Sequence, residues 1–465
     1  MRIKSLFSVL ILLSSVIVAI PASALDTRIE ITGISKQNRY IIEGKNGSLK
    51  HLIQSFDNSR RLFGDFAVVV GNIDEIQKSL QGARKSFGTV NISPDEYRTR
   101  VSVPDDTLWG NLWGMGVDAS YGIDLLAAHA LFTTKQPGAD AVVAVLDTGY
   151  TDHPDLAASY EGGYDFLTQF DPYGDHQSND GDGPDTDPRD AGDFWLENTY
   201  GGPWGSSWHG THVHGTIAAT KNNGQGVVGV APSADVIHGR VLGTWGGFDS
   251  AIASSIRWAA GLAVSGVPTN TKPADVVNLS LGGASTTCPS IYANAIADAR
   301  NAGTVVVVAA GNENSDAGGF TPANCSGAIT VAATGPEGFR SWYSNYGSVV
   351  DIAAPGGDSN YINGGIQSTL NTGYSTPQVP TYAYYQGTSM ATPHVAGVVA
   401  LIRSANPNLS VAEVESILLA SVNPFRSSGM TNSCSQTGKC GSGLVDAQKA
   451  VAAALAAGGG GGGGV

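Results

Sequence analysis

Charge is scarce in this chain, and positive charge scarcest. Only 14% of its 465 residues are Asp, Glu, Lys or Arg, and 26 basic residues face 40 acidic ones, for a net charge of −14. So acidic a chain is expected to have neither nucleic acid nor an anionic membrane surface as its partner. Cysteine is nearly missing, at four residues, and none forms a Cys-x-x-Cys pair for zinc or dithiol chemistry. The 61 glycines follow no Gly-X-Y period, which excludes collagen. No internal repeat is present, and beyond the first two dozen residues no apolar run has the length of a transmembrane helix. Apolar residues are plentiful at 42%, enough for a sizeable core, and that excludes disorder of the whole chain.

Residues 1–24 read as an export signal. Arg2 and Lys4 precede the apolar run Leu6 to Ile20, and Ala22-Ser23-Ala24 is a small-x-small cleavage site. Export places the cysteines in an oxidising compartment, where an even count favours bridges over free thiols. Four cysteines allow three pairings. Cys434 and Cys440 flank Gly438 in a short loop and suit each other, which leaves Cys288 for Cys325.

Charge also divides the chain. Residues 1–104 carry 14 Lys and Arg against 9 Asp and Glu, and the remainder is strongly acidic, as expected of two bodies that attract each other. Residues 25–104 read as a small α+β unit, with strands at Arg39 to Glu43, Phe66 to Val70 and from Val90, and helices at Leu49 to Phe56 and Ile73 to Gln81. About 80 residues bury too little core to be robust alone. A polar link, Val101 to Pro104, follows.

From Asp105 the texture changes. Val142 to Leu146, Val276-Val277 and Val305 to Val308 are apolar runs of the kind found in buried parallel strands. Helical stretches alternate with them, at Phe248 to Leu262, Ile291 to Ala302, Met390 to Arg403 and Asp446 to Ala457. The alternation predicts an α/β domain over residues 105–457, a doubly wound and mostly parallel sheet with helices on both faces. Gly458 to Gly464 is a flexible glycine tail.

In such a sheet, reactive groups gather at the carboxyl ends of strands. Asp147-Thr148-Gly149 ends an apolar strand, His209-Gly210-Thr211-His212 opens a helix, and Gly387-Thr388-Ser389-Met390-Ala391-Thr392-Pro393 opens another. Asp, His and Ser supply an orienting carboxylate, a base and a nucleophile. A helix N-terminus behind the serine would direct backbone N–H groups at a developing oxyanion. The rival nucleophile motif, Gly-x-Ser-x-Gly, fails because Ala391 stands where its last glycine belongs.

These segments, in this order, resemble the subtilisin-like serine proteases. The likeness adds Ala309-Ala310-Gly311-Asn312 and His153-Pro154-Asp155-Leu156, and it covers about residues 105–456. It implies that Asp147 orients, His209 is the general base, Ser389 is the nucleophile and Asn312 donates to the oxyanion. It implies that Ser280, Leu281 and Gly282, with Ala309, Ala310 and Gly311, line a small apolar P1 pocket with broad or hydrophobic preference. Gly246 and Gly247 would pair with an extended protein or peptide substrate. Residues 25–104 resemble the family's inhibitory propeptide, removed by cleavage between Arg98 and Leu108. The whole is then a secreted, monomeric endopeptidase acting through an acyl-enzyme. A catalytically dead binding protein, or an esterase or peptide ligase with the same triad, are the competing classes.

His212 and His394 are expected to be structural. His214 departs from the small residue usual in that family, and needs space and a partner near the helix of the base. The stretch Asp171 to Asp193 holds eight Asp against Arg189 alone. Asp180, Asp182, Asp185, Asp187, Asp190 and Asp193 would repel unless a hard cation took their charge, which suits Ca2+. The spacing is not an EF-hand, and a solvated acidic loop is the alternative. The resemblance favours structural calcium and makes Asp155 a further ligand.

Overall fold

The computed structural model describes residues 39–44, 59–61, 66–78, 80, 90–94, 103–116, 121–169, 178–197, 202–426, 434 and 440–458. The expected signal peptide, the helix at Leu49 to Phe56, link residues 97–102, Asp171, Asp175 and the glycines after Gly458 lie outside them. The chain forms two compact units, Met1–Arg100 and Val101–Val465.

In the first unit, β1 (Arg39–Gly44), β2 (Ser59–Arg61), β3 (Phe66–Val70) and β4 (Val90–Pro94) make an antiparallel sheet in the order β2-β3-β1-β4. Tyr40 and Ile42 on β1, Ala67 and Val69 on β3, and Ile92 on β4 are buried at alternate positions along their strands. Ile76, within helical residues 73–78, and Leu80 complete that core. β2 had no apolar pattern to announce it.

The second unit contains β5 (Val142–Asp147), β6 (Tyr160–Asp165), β7 (Asp235–Arg240), β8 (Val276–Leu279), β9 (Gly283–Ala284), β10 (Val305–Ala309), β11 (Phe320–Thr321), β12 (Ile329–Thr334), β13 (Ile352–Pro355), β14 (Ile366–Asn371), β15 (Pro380–Tyr385), β16 (Val422–Asn423) and β17 (Leu444–Val445). Nine of these build one sheet in the order β16-β17-β13-β12-β10-β8-β5-β7-β6. Every pairing is parallel except that of β16 with β17. The helices are α1 (Leu125–His129), α2 (His209–Ala218), α3 (Asp249–Ala259), α4 (Ser290–Asn301), α5 (Thr388–Ala405), α6 (Val411–Ala420) and α7 (Ala447–Gly458). This is the α/β, doubly wound architecture expected.

Strand alternation sorts the core into two layers. Val143, Val145, Val305 and Val307 pack with α2, α5 and α7, while Ala144, Leu146, Val306 and Val308 pack with α3 and α4. Both faces are therefore covered, as a parallel sheet requires. β14 and β15 form an antiparallel hairpin that leans on α2. The expected bridges Cys288–Cys325 and Cys434–Cys440 are both present. No described helix is long and apolar enough to cross a membrane.

Candidate active site

The sheet reverses its order around β5, and β5, β8 and β10 lie side by side. Their carboxyl ends deliver Asp147, Ser280 and the loop bearing Asn312 to one edge. Asp147 is fully buried. Its two oxygens lie 2.8 and 2.9 Å from His209 Nδ1. A second donor, the Thr148 N–H, reaches Asp147 Oδ1 at 2.8 Å. A carboxylate only accepts, so Nδ1 carries the imidazole proton and Nε2 is left as the basic nitrogen. Burial alone would push His209 down. The charge and hydrogen bond of Asp147, with Asp193 and Asp190 adding, carry it above the ordinary histidine value.

Two motif glycines permit this approach. Gly149 has φ +98°, and a Cβ there would stand 2.5 Å from Pro188 O. A Cβ on Gly210 would stand 2.0 Å from Gly149 O. Thr148 ties the two motifs together. Its Oγ1 accepts from Gly210 N–H at 3.0 Å and donates to Asp190 Oδ2 at 2.7 Å.

Ser389 sits in the first turn of α5, which begins two residues before the sequence pattern suggested. Pro393, four residues on, has no N–H and leaves the Ser389 carbonyl without its helical donor. Ser280 Oγ fills the gap at 2.8 Å, and Asn278 Nδ2 donates to that oxygen at 3.0 Å. In return Ser389 Oγ donates to the Ser280 carbonyl at 3.2 Å. Passing its proton to His209 requires that bond to be given up, and such bonds commonly realign when substrate arrives. Asn312 Oδ1 accepts from Thr388 N–H at 2.9 Å and Thr388 Oγ1 at 3.1 Å. Since the backbone N–H can only donate, the amide is oriented, and its NH2 end remains available for an incoming oxygen.

Leu281, Gly282, Gly246 and Gly247 share the lining of a pocket of about 470 Å³. Ala309 and Ala310 are buried and lie outside that lining. Gly246 is less available than its place in the sequence suggested. It exchanges both main-chain hydrogen bonds with Gly243, at 2.9 and 3.1 Å, so its N–H is committed, whereas Gly247 follows just outside that turn.

The other histidines near α2 and α5 are buried. His212 Nε2 lies 3.1 Å from the carbonyls of Ile366 and Ala383, and burial lowers this histidine to about 3. His394 Nδ1 meets Met390 O at 2.8 Å, and burial lowers His394 to about 4. His214 is also fully buried, not at the helix surface. It finds its partners off its own helix, with Nε2 2.9 Å from Ser159 Oγ and Nδ1 3.0 Å from His238 Nε2. Ser159 Oγ donates to Leu156 O, so the chain runs from His238 through neutral His214 to Ser159.

The acidic segment departs most from expectation. Its carboxylates do not converge, and among the described residues no group of three or more His, Cys, Asp or Glu forms a metal cluster. Asp180 pairs with buried Arg240, which also holds Asp165 at 2.6 Å. Asp190 accepts from Thr148 Oγ1 and Gly192 N–H. Asp193 accepts from Ser207 N–H and Oγ, both at 2.6 Å. Asp187 pairs with Arg189, and Asp185 accepts from Asp187 N–H. Asp182 stays exposed, its carboxyl raised chiefly by neighbouring Asp180. Protein donors take most of this charge individually: Asp185, Asp187 and Asp190 fold back on nearby N–H groups, Asp180 meets Arg240 and Asp193 meets Ser207, while Asp182 is left to solvent. These six do not fit one shared calcium. Asp155 lies apart from them, accepting from Asn223 Nδ2 at 2.6 Å, Val227 N–H at 3.0 Å and Tyr382 OH at 3.2 Å.

Three features had no recognised place in the sequence reading: the Asn278–Ser280 relay, the Thr148–Asp190 link and a cluster formed by Trp195, Trp204 and Trp245. Pro393 was the available signal for the first, since a proline inside a helix always frees the carbonyl four residues before it.

Residues 138–444 match the subtilase family. The chain is 44% identical over 367 residues to an extracellular protease of Xanthomonas campestris pv. campestris, a match covering 78% of this chain and 59% of that protein. It is 40% identical over 395 residues to an extracellular basic protease of Dichelobacter nodosus, covering 81% of this chain and 61% of that one. The chain thus spans about three fifths of the length of these two relatives. It is 37% identical over 332 residues to subtilisin Savinase of Lederbergia lenta, covering 71% of this chain and 97% of that protein. A solved protease structure from Pseudoalteromonas arctica superposes with a TM-score of 0.70 at 47% identity, covering 76% of this chain and 100% of that chain. With the family's motifs filled at β5, α2 and α5, the chain belongs to the subtilase family.

Proposed function

We propose that this chain is a secreted serine endopeptidase that hydrolyses peptide bonds through an acyl-enzyme. The observation that carries the reading is the buried Asp147 carboxylate held 2.8 and 2.9 Å from His209 Nδ1. His209 Nε2 takes the Ser389 hydroxyl proton as Oγ attacks the scissile carbonyl carbon. The resulting oxyanion is received by Asn312 Nδ2 and by the N–H groups at the start of α5. Collapse breaks the C–N bond, and His209 returns the proton to the departing amine. Water then repeats the sequence on the acyl-enzyme. The small apolar ends of β8 and β10 favour a broad or hydrophobic P1 residue.

Residues 1–24 serve export, and residues 25 to about 104 act as folding template and inhibitor until cleavage between Arg98 and Leu108. The opposite net charges of the two units support that pairing. Structural calcium is assigned to Asp155 on the likeness to the family, which makes it a ligand, although Asp155 already accepts from Asn223 Nδ2, Val227 N–H and Tyr382 OH. Asp155 and Asp106 are both buried, burial raises both carboxyls, and Asp106 raises Asp155 further by its charge. A hard divalent cation held by Asp155, Asp106 and Asn223 would relieve that cost and brace the loop around Asn223.

Replacing Ser389 with Ala tests the reading. Peptide hydrolysis should fall by about a millionfold, the size known for loss of the nucleophile in a subtilisin. The precursor should remain uncut when expressed alone. A Ser389→Ala variant that still hydrolyses peptides would discard it.

A further inference from the structure

Position 214 usually holds a small residue in this family, and here it holds a histidine. His214 stands on α2, five residues after His209. It is fully buried, and so is His238 on β7. The two rings meet at 3.0 Å, from His238 Nε2 to His214 Nδ1. His214 Nε2 lies 2.9 Å from the hydroxyl of Ser159, the residue before β6. The helix of the base is thus fastened to β6 and β7, the two strands at one edge of the sheet.

The partners fix where the protons lie. Ser159 Oγ donates to Leu156 O at 3.1 Å, so it accepts from His214 Nε2–H. His214 Nδ1 is then an acceptor, filled by His238 Nε2–H. His238 Nδ1 is left bare, buried and without a partner. A further proton has two places to go, and both break the arrangement. On His238 Nδ1 it makes a buried imidazolium with no acceptor. On His214 Nδ1 it sets two N–H groups head to head across 3.0 Å.

The surroundings offer such a charge no relief. The segment between β5 and β6 brings Tyr150 and His153, and β6 brings Tyr160. The two tyrosine rings stand 5.2 and 6.1 Å from that of His238, centre to centre, and a charge on His153 opposes one on His214. On α2 itself His212 is turned to the carbonyls of Ile366 and Ala383, and α5 brings His394, whose charge acts on His212. On β7 Arg240 is taken up by Asp165 and Asp180. The β14–β15 hairpin gives α2 the hydroxyls of Ser368 and Thr369. Burial therefore lowers His238 to about 3, and burial, then the charge of His238, holds His214 well below the ordinary 6.5. The closed contact needs both rings neutral, and an opened one returns them to the ordinary value. Opening becomes about tenfold more favourable per histidine for each pH unit below about 6.5.

We propose that His214 and His238 are positioning residues for His209: neutral, they fasten α2 to the sheet edge, and on taking up protons they release it, so that catalysis has an acid-side loss separate from the charging of the base. The inference rests on the endopeptidase reading. A displacement of about 1 Å at a reacting group is enough to cost about a hundredfold in rate.

The test measures kcat/KM of the full chain, after its own processing, on a peptide anilide from about pH 8.5 down to about pH 4.5. Charging His209 alone gives a limb that falls about tenfold per pH unit, and the parent's limb should steepen beyond that below about pH 6. His238→Gln keeps a donor for His214 Nδ1 but takes up no proton. It should retain most of the activity at high pH and lose most of the steepening. His214→Ala cuts the chain of hydrogen bonds and should lower kcat at high pH by about tenfold, with KM within about twofold of the parent. A pair with a merely structural role would lower activity equally at every pH and leave the limb's shape alone, which would overturn the inference. So would a parent limb of single slope, or a steepening that persists in His238→Gln. Should His238→Gln fail to fold, hydrogen exchange on the parent decides, with Ser389 blocked by a fluorophosphonate against self-digestion. After correction for the intrinsic effect of pH, the α2 amides should gain more exchange than those of α5 as the pH falls from about 6.5 to about 4.5. Equal gains would overturn the inference. A parent that cleaves no peptide at any pH would overturn the endopeptidase reading instead, and the exchange would still decide on the histidine pair.

Discussion

The strand-end motifs and the acidic segment 178–193 handle carboxylates in opposite ways. At the end of β5 one buried carboxylate is given to one histidine, Gly210 lets the start of α2 close on the Gly149 carbonyl, and Gly149 lets the Pro188 carbonyl approach. In the acidic segment, Asp180, Asp190 and Asp193 are divided among Arg240, Thr148 and Ser207, partners drawn from β7, the residue after β5 and the approach to α2. Both arrangements join distant elements, His209 lying 62 residues from Asp147 and Asp190 lying 42 from Thr148. The first is marked by a recognisable motif at each end, and the second is set by which element arrives opposite each side chain. A run of like residues therefore predicts repulsion, and only the fold decides whether a metal, a guanidinium or a backbone N–H relieves it.

The comparison can be broken most severely at Arg240. Its guanidinium is almost fully buried between Asp165 and Asp180. Arg240→Ala leaves carboxylates without their cation and should destabilise the large unit by about 3–5 kcal/mol, read by chemical denaturation. If acidic residues here were merely solvated, the loss would be far smaller.

A gentler change links the two regions. Asp193 adds to the charge that raises His209, so Asp193→Asn should lower that histidine. Activity needs neutral His209 and is lost as pH falls through its pKa. The acid limb of kcat/KM should therefore move to lower pH, with the plateau at higher pH close to the parent's. A limb that stays in place would separate the acidic segment from the base electrostatically.

The smallest effect is expected at the exposed carboxylates. A double variant, Asp182→Asn with Asp187→Asn, should melt with the parent and respond to chelator as the parent does. Chelation should lower the parent's melting temperature through the Asp155 site, by mass action on the folded state, and Asp155→Ala should lose that response. A double variant that alone stops responding would return calcium to the acidic segment.

The same contrast explains what the sequence disclosed. Three of the parallel strands, β5, β8 and β10, the placement of His209 and Ser389 in the first turns of helices, the order of the motifs and both cysteine pairings were legible, because each is marked by local pattern or by elimination among few residues, whereas β6, β7, β12, β13 and β17 carried no pattern that was read. His214 was not. Its partners, Ser159 and His238, lie on other elements, and no local pattern announces a hydrogen bond between a helix and a strand 24 residues later. Trp195, Trp204 and Trp245 were invisible as a group for the same reason. The first unit shows the limit from the other side, since β2, with Ser59, Arg60 and Arg61, is held by pairing with β3 and has no apolar signature of its own.

The claim at the centre is that Ser389 is the nucleophile and His209 its base, oriented by Asp147. The most direct measurement is covalent labelling of the full chain with a serine-directed fluorophosphonate, followed by peptide mass mapping. The account predicts a single adduct, on the peptide containing Ser389, that disappears in His209→Ala while the variant remains folded. An adduct on another residue, or labelling of Ser389 that is indifferent to His209, would contradict it.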